Sequence, residues 1–321
     1  MCGIFSYLGN RKDAGALILD GLKALEYRGY DSWGIAVKKN DGNLFTEKHV
    51  GKIGNATLPH FSASVGIGHT RWATHGGVTK ENSHPHADCK KEIVVVHNGI
   101  VENYAKLKQK LKLKHTFLSE TDTEVVAHYL EEKLTKNTDL LDVVIKTFQE
   151  LEGLSAIIVY RPATDEFVAV KNGSPLIFGI GDNEYYLASD SAALLPHTQK
   201  VYYLEDNEFL HLTQTTYTLY DFQKNKKEIK PIKLTFSPDS ITLGNYPNYM
   251  MKEMHEQPHV IRSLVLEQKG QIQKAASLIK KAYGTYFIAC GTAYYAALAG
   301  TYLFSKVAKR HTNASVGSEF E

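Results

Sequence analysis

The sequence begins MCGIFSYLG (residues 1–9), where a cysteine is followed at once by an apolar run typical of a buried strand. An initiator methionine before a small residue is normally removed, which would leave an α-amine and a thiol together on Cys2. With reference pKa values of about 7.7–8.0 for the amine and about 8.5 for the thiol, the amine can accept the thiol proton near neutral pH. The alternative is a small buried cysteine without a chemical role. The stretch therefore predicts a core strand. Whether Cys2 is a nucleophile or a buried cysteine without a role has to be judged from the other motifs of the chain.

The composition limits the classes of function. A chain of 321 residues with 43% apolar content is typical of about two domains with packed cores. A net charge of +2 gives no basic surface of the kind that nucleic acid or an anionic membrane requires, so we expect neither partner. The three cysteines, Cys2, Cys89 and Cys290, are odd in number and far apart, which favours free thiols in a reducing cytoplasm.

The chain divides into two predicted domains. Short apolar segments separated by Gly and Asn predict a strand-rich domain over residues 2–220, with a hairpin at Asn40–Asn43 (NDGN). A polar stretch with prolines predicts an inter-domain linker at 221–248. Residues 249–321 then begin an α/β domain, because the uncharged stretch 283–304 breaks at CGT into a strand and a small-residue helix and is not a membrane span. Too few residues follow to complete a parallel sheet, so we expect this second domain to be incomplete.

Two amphipathic segments predict helices that cover a sheet. In the first, four apolar side chains fall on one stripe: Leu17, Ile18, Leu22 and Leu25. The second opens with Ser119 and Asp122 in the spacing of a capping box, ahead of Val125, Val126 and Leu130.

Polar motifs stand at the ends of several predicted strands. In HTRWATHGG (69–77), Arg71 offers the planar fork that grips a carboxylate through two parallel hydrogen bonds, and Thr74 and His75 add further polar groups. In isolation this segment would be interpreted as a loop with a surface arginine and a packed tryptophan. Together with the other motifs it predicts a site that recognises an amino acid.

Two more motifs supply candidate catalytic groups. In VVVHNGIVEN (94–103), the amide of Asn98 and the backbone N–H of Gly99 can hold an oxyanion, each donor contributing about 3–4 kcal/mol, although Asn-Gly is also an ordinary turn. In SETDTE (119–124), Asp122 is either a helix-capping carboxylate or the counter-charge of a substrate ammonium group.

These motifs together resemble the class II glutamine amidotransferases, across which the opening MCGI is shared. The longer motifs LEYRGYDSWGIAV, HTRWATHG, HPH, VVVHNGIVEN, SETDTE, ASD, YMMKEMHEQP and CGTAYYAAL are similar to the branch that converts glutamine and fructose 6-phosphate to glutamate and glucosamine 6-phosphate. The resemblance runs over essentially the whole chain. It implies an α/β fold, the four-layer αββα sandwich of N-terminal nucleophile hydrolases, followed by the truncated start of a sugar isomerase domain.

The resemblance also implies residue roles. The catalytic residues are Cys2 as nucleophile and Asn98 with Gly99 as oxyanion hole. Four residues are implied to bind glutamine: Arg71 at the α-carboxylate, Thr74 and His75 nearby, and Asp122 at the α-amine. Trp72 matches the gate of an ammonia tunnel, and Arg28 lies in the turn beside the nucleophile. Thr292 matches a sugar-phosphate contact, although Ala293 stands where serine is common. No cofactor or metal is implied, and the complete enzyme is expected to be a homodimer.

Three alternatives stay open. Another class II amidotransferase would share MCGI and NG but is not expected to carry HTRWATHG together with CGT. A regulatory or sugar-sensing module would release no ammonia from glutamine. A metal site could use His84, His86 and Cys89 of HPHADC, which are ligand types at short spacing. Pro85 and the lack of a second ligand pair favour a packed loop instead.

Overall fold

The computed structural model describes residues 2–135, 138–235 and 243–320, and the chain divides into two units, Met1–Thr242 and Leu243–Glu321. The strands of the first unit are β1 (Gly3–Leu8), β2 (Ser32–Lys39), β3 (Leu44–Val50), β4 (Ala63–Arg71), β5 (His86–Ala87), β6 (Val94–Gly99), β7 (Ser155–Arg161), β8 (Glu166–Asn172), β9 (Ile177–Ile180), β10 (Tyr185–Ala188), β11 (Lys200–Tyr203), β12 (Phe209–Leu212), β13 (Tyr217–Tyr220), β14 (Lys226–Lys227) and β15 (Ile232–Lys233). Its helices are α1 (Ala14–Ala24), α2 (Tyr104–Leu111), α3 (Asp122–Lys133) and α4 (Leu140–Phe148). The expected removal of Met1 concerns a residue outside the described ranges.

Two antiparallel sheets form the centre of the first unit, with strand orders β15-β11-β9-β10-β1-β4-β2-β3 and β14-β13-β12-β8-β7-β6-β5. Side chains of β1 alternate between faces, so Phe5 and Tyr7 pack against α1 while Ile4 and Leu8 face the second sheet. The second sheet buries its other face against α2, α3 and α4. The order of layers is helix, sheet, sheet, helix, which confirms the αββα sandwich.

Local predictions in the first unit are confirmed with one difference. The turn at Asn40–Asn43 joins β2 to β3 as a hairpin, and the predicted stripe of α1 is buried. The second helix begins at Asp122, but its N-cap is Thr121, whose hydroxyl accepts the N–H of Glu124. Ser119 is therefore not the cap, because its hydroxyl donates to the carboxylate of Glu124.

The predicted linker, 221–248, contributes to the sheets of the first unit. Lys226–Lys227 pairs with β13, and Ile232–Lys233 pairs with β11. Both strands are short, exposed and at a sheet edge, so neither carries the apolar alternation by which a strand is recognised in a sequence. Residues 236–242 of this stretch lie outside the described ranges.

The second unit contains α5 (Tyr249–Glu267), α6 (Lys269–Lys281), β16 (Tyr286–Ala289), α7 (Gly291–Ala308) and β17 (Asn313–Val316). The two strands pair in parallel with α7 as the crossover, and Phe287 contacts Phe304 with ring centroids 5.4 Å apart. The stretch 283–304 is thus a strand, a glycine turn and a helix, as predicted. Across the described residues, no helix combines the length and apolarity needed to span a membrane.

Candidate active site

The ends of two neighbouring strands bring Cys2 beside the segment that follows β4. In the antiparallel register of β1 and β4, Gly3 lies opposite Thr70, and the N–H of Gly3 donates to the Thr70 hydroxyl at 3.1 Å. The N–H of Trp72 donates to Cys2 Sγ at 3.2 Å. Burial raises the pKa of the Cys2 thiol, and the Trp72 hydrogen bond and the charges of Arg71 and Arg28 act in the opposite direction. The thiol form is therefore favoured near neutral pH, and a base is needed to activate it.

Asn98 reaches Cys2 from the other sheet, at the end of β6. Its Nδ2 donates to the carbonyl oxygen of Cys2 at 3.0 Å. His69 Nε2 lies 3.1 Å from Asn98 Oδ1 and 3.0 Å from the carbonyl oxygen of His97. Because both partners are oxygen acceptors, Nε2 must carry the proton, and this fixes the amide of Asn98 with its NH₂ group toward Cys2. One of the two amide protons is bonded to Cys2, which leaves the second for an oxyanion.

The residue after Asn98 has to be glycine. Gly99 has a φ of +139°, and a Cβ atom there would lie 2.1 Å from the carbonyl oxygen of Leu154. Backbone conformation and space both exclude a side chain at this position. The strand can therefore end with a backbone N–H close to the Asn98 amide.

Arg71 holds the loop that follows β4. Its side chain is buried and donates to the carbonyl oxygens of His75 and Gly76 through Nη2, and to that of Gly77 at 3.0 Å through Nη1. A carboxylate bound at this guanidinium would compete with those three carbonyl groups. The ring of His75 packs edge-on against Tyr104, with centroids 5.2 Å apart.

Asp122 is buried at the first turn of α3. Its Oδ2 accepts the N–H of Val101 at 2.7 Å, which ties the helix start to the segment after Gly99. Asp122 is therefore not the helix-capping carboxylate considered from the sequence, because Thr121 is the N-cap and the Asp122 bond goes to Val101 outside the helix. The other carboxylate oxygen keeps its own capacity to accept a hydrogen bond.

A turn beside Cys2 adds a charged pair. Arg28 Nε donates to the carbonyl oxygen of Cys2 at 3.2 Å, and Arg28 Nη1 forms a 3.1 Å ion pair with Asp190. Tyr27 also donates to Asp190, at 2.8 Å. Trp72 is 45% exposed and meets the ring of Tyr30 edge-on at 5.4 Å.

The structure brings most of the predicted residues to one pocket of about 260 Å³. Its lining consists of Cys2, Arg28, Trp72, Thr74, Asn98 and Gly99, together with Ile100, Ser174 and Pro175. The predicted glutamine-binding residues Arg71, His75 and Asp122 are not among the lining residues. Thr292 belongs to the second unit, where it is exposed at the start of α7.

Several contributors were not predicted as site residues. His69 orients Asn98, Thr70 anchors Gly3 next to Cys2, and Asp190 anchors Arg28. His69 and Asp190 stand inside the motifs HTRW and ASD, so a signal was present, but nothing local to those motifs indicates which atom each side chain contacts. Ser174 and Pro175 lie in a loop without a recognisable pattern.

The histidines of HPHADC do not join Cys89. His84 stacks on His69 with ring centroids 4.1 Å apart, and His86 Nε2 bonds the hydroxyl of Thr121 at 3.0 Å. Among the described residues, the group of ligand-type side chains that includes Cys89 contains neither of them. The metal site considered for His84, His86 and Cys89 is thus not formed.

Comparisons with known proteins identify the family of the chain. The sequence profile of the glutamine amidotransferase domain matches residues 46–246. Glutamine–fructose-6-phosphate aminotransferases [isomerizing] from Clostridium perfringens and Thermus thermophilus are 41% and 40% identical to the whole chain. The chain spans 54% of the length of each of these two relatives.

Solved structures with the same fold include an allosteric regulatory enzyme of purine biosynthesis, at 28% identity and a TM-score of 0.60 over 70% of this chain and 50% of that one. The glutamine phosphoribosylpyrophosphate amidotransferase of B. subtilis has a TM-score of 0.62 at 20% identity, over 98% of this chain and 66% of that one. The profile match covers more than half of the chain. The chain therefore belongs to the class II glutamine amidotransferase family.

Proposed function

We propose that this chain hydrolyses the side-chain amide of glutamine with Cys2 as nucleophile. The observation that supports this best is the convergence of Cys2, Asn98 and Gly99 on one pocket. The sulfur attacks the amide carbon, and the resulting oxyanion receives hydrogen bonds from the Asn98 amide and the Gly99 N–H. The C–N bond then breaks and ammonia leaves with the proton that came from the thiol. Water cleaves the thioester, which releases glutamate and restores the thiol.

The proposed base is the α-amine of Cys2, which requires removal of Met1. Because burial raises the pKa of the thiol, the thiolate has to form as the proton is transferred. An α-amine with an ordinary pKa of about 7.7–8.0 accepts a proton readily at neutral pH. The nucleophile must also stay free of disulfides, so we propose a reducing, cytoplasmic location.

The glutamine backbone groups are proposed to bind beside the pocket. Arg71 would take the α-carboxylate in exchange for its bonds to the carbonyl groups at 75–77, so binding would reorganise that loop, with Thr74 and His75 close by. Asp122 would pair with the α-amine through the oxygen that does not bond Val101.

The proposed amino acceptor is fructose 6-phosphate, in keeping with the names of the relatives. In that reaction Trp72 would gate the path of ammonia, and the second unit would be the start of a sugar isomerase domain. Thr292 would contact the sugar phosphate from the first turn of α7, where free backbone N–H groups attract anions. The complete enzyme is proposed to be a homodimer.

The test compares glutamate release by wild type, by Cys2→Ala and by the control Cys290→Ser. The control removes a thiol from the second unit. Glutamate release should disappear in Cys2→Ala and persist in Cys290→Ser. A glutamine analogue with an electrophilic side chain should label Cys2 alone, in protein whose intact mass shows loss of Met1. Full activity in protein that retains Met1 would contradict the proposed base. Formation of amino sugar from added fructose 6-phosphate is measured in the same samples. A failure of the acceptor proposal can then be told apart from a failure of glutamine hydrolysis.

A further inference from the structure

Four side chains of metal-ligand type converge at a second place in the first unit, away from the catalytic pocket. They are Cys89, His115, His128 and Glu131, here called the Cys89 cluster, and their ligand atoms all lie within 4.8 Å of one another. Cys89 Sγ lies 3.7 Å from His115 Nδ1 and 3.6 Å from His128 Nδ1. Glu131 Oε2 lies 2.9 Å and 3.3 Å from the same two nitrogens.

These separations fit a tetrahedral ion at the centre. Zinc bonds of about 2.3 Å to sulfur and about 2.0–2.1 Å to nitrogen, at a tetrahedral angle, place the two ligand atoms about 3.6 Å apart. The nitrogen-to-oxygen distance in such a site is about 3.3 Å. The sulfur–nitrogen pairs match, as does one of the two nitrogen–oxygen pairs, and the other is shorter.

The outer nitrogens of both rings face carboxylates. His115 Nε2 lies 3.1 Å from Glu132, and His128 Nε2 lies 3.7 Å from Glu124. Metal-binding histidines usually direct their second ring N–H to a carboxylate, which leaves the other nitrogen free to bind the ion. The competing arrangement has no metal ion. In it the rings of His115 and His128 bond the same carboxylates directly, and Cys89 is a free thiol beside them.

We propose that the Cys89 cluster binds one Zn²⁺ ion as a structural site. Four protein ligands close the coordination shell, as in structural rather than catalytic zinc sites. Thiolate with imidazole selects zinc over the hard cations magnesium and calcium. The ion would tie the loops that carry Cys89 and His115 to one face of α3, where His128 and Glu131 stand three residues apart. Asp122 begins the same helix, about 9 Å along its axis from His128.

The test uses the full chain, stripped with a chelator under reducing conditions and titrated with Co²⁺ as a spectroscopic substitute. We expect one Co²⁺ ion per chain, a thiolate-to-cobalt charge-transfer band and the intense visible bands of four-coordinate cobalt. Added Zn²⁺ should displace the cobalt, so that all of these bands disappear. Zinc should also raise the melting temperature of the first unit, which holds both tryptophans, Trp33 and Trp72.

Matched variants assign the ligands. Cys89→Ser should remove the charge-transfer band and weaken zinc binding by more than the roughly 10- to 100-fold that is lost when a hydrogen-bond partner of a ligand is removed. Cys290→Ser and Cys2→Ser should keep both the band and the affinity. If Cys89→Ser does not fold, His115→Asn is expected to lose the visible bands and the thermal shift instead. A wild-type chain that binds no Co²⁺, a band that survives Cys89→Ser, or a band lost in Cys2→Ser would each overturn the proposal. The outcome is independent of glutamine hydrolysis, because binding is measured without substrate.

Discussion

Mild acid is expected to destabilise the first unit through two stacked histidines, His69 and His84. Burial lowers the pKa of His69 to about 3 and holds the pKa of His84 well below its usual range, and the neighbouring charge of Arg71 acts in the same direction. Both rings therefore stay neutral in the folded unit but take up a proton on unfolding below about pH 6.5. Because the unfolded state binds more protons, stability that is complete above that pH is lost as the pH falls.

The size of the effect follows from the same linkage. A change from about pH 7.5 to about pH 5.5 runs from one unit above the histidine pKa of the unfolded chain to one unit below it. The free energy of unfolding falls by about 1 kcal/mol for each ring and by about 2–3 kcal/mol for the two together. This is a large share of the roughly 5–15 kcal/mol that stabilises a typical domain.

The assay is urea unfolding followed by tryptophan fluorescence, which reports on the first unit because Trp33 and Trp72 both lie in it. His69→Gln keeps an N–H donor toward Asn98 but cannot titrate. Between the two pH values, wild type should lose about 1 kcal/mol more stability than this variant. His60→Gln, at an exposed histidine of the same unit, should show no such difference. A difference between wild type and His69→Gln that stays constant with pH would refute the reasoning.

Three further predictions concern the pocket that contains Cys2. Asn98→Ala should lower kcat for glutamine hydrolysis by roughly 10²- to 10³-fold with little change in KM, since its amide is proposed to serve the transition state; a change in KM alone would remove it from the oxyanion hole. Gly99→Ala should abolish activity and lower the melting temperature, because its Cβ would meet the carbonyl oxygen of Leu154 at 2.1 Å; a fully active, equally stable variant would disprove this. Arg71→Lys should raise the KM for glutamine, because an ammonium group cannot replace a planar fork, and an unchanged KM would place the carboxylate elsewhere.

The sequence predicted what short-range patterns encode. The stripe of α1, the hairpin at Asn40–Asn43 and the glycine turn before α7 all depend on residues a few positions apart. The convergence of Cys2 with Asn98 was predicted because Cys2 comes immediately before one apolar strand, Asn98 stands at the end of another, and the motifs resemble a known family.

Contacts between distant segments could not be predicted in this way. The order of strands in the two sheets depends on pairings such as β1 with β10, far apart in the chain. Arg71 was expected to bind a carboxylate, whereas in the structure it donates to the carbonyl oxygens of residues 75–77. That contact depends on the conformation of the loop after β4, which the sequence motif does not specify. Cys89 contacts His115 and His128 because two loops fold over α3. The three residues are far apart in the sequence, so no motif of neighbouring residues predicts that they meet.

The hydrogen bond between Asn98 and Cys2 joins one sheet to the other, so the proposed reaction would depend on the apolar layer between the sheets. Side chains such as Ile4, Val96 and Ile158 fill that layer and set how the sheets align. Interiors this dense transmit a change of volume as a shift of the surrounding elements. A substitution in the middle of the sandwich, distant from glutamine, can therefore misalign the amide donor and the sulfur and slow the reaction while the unit stays folded.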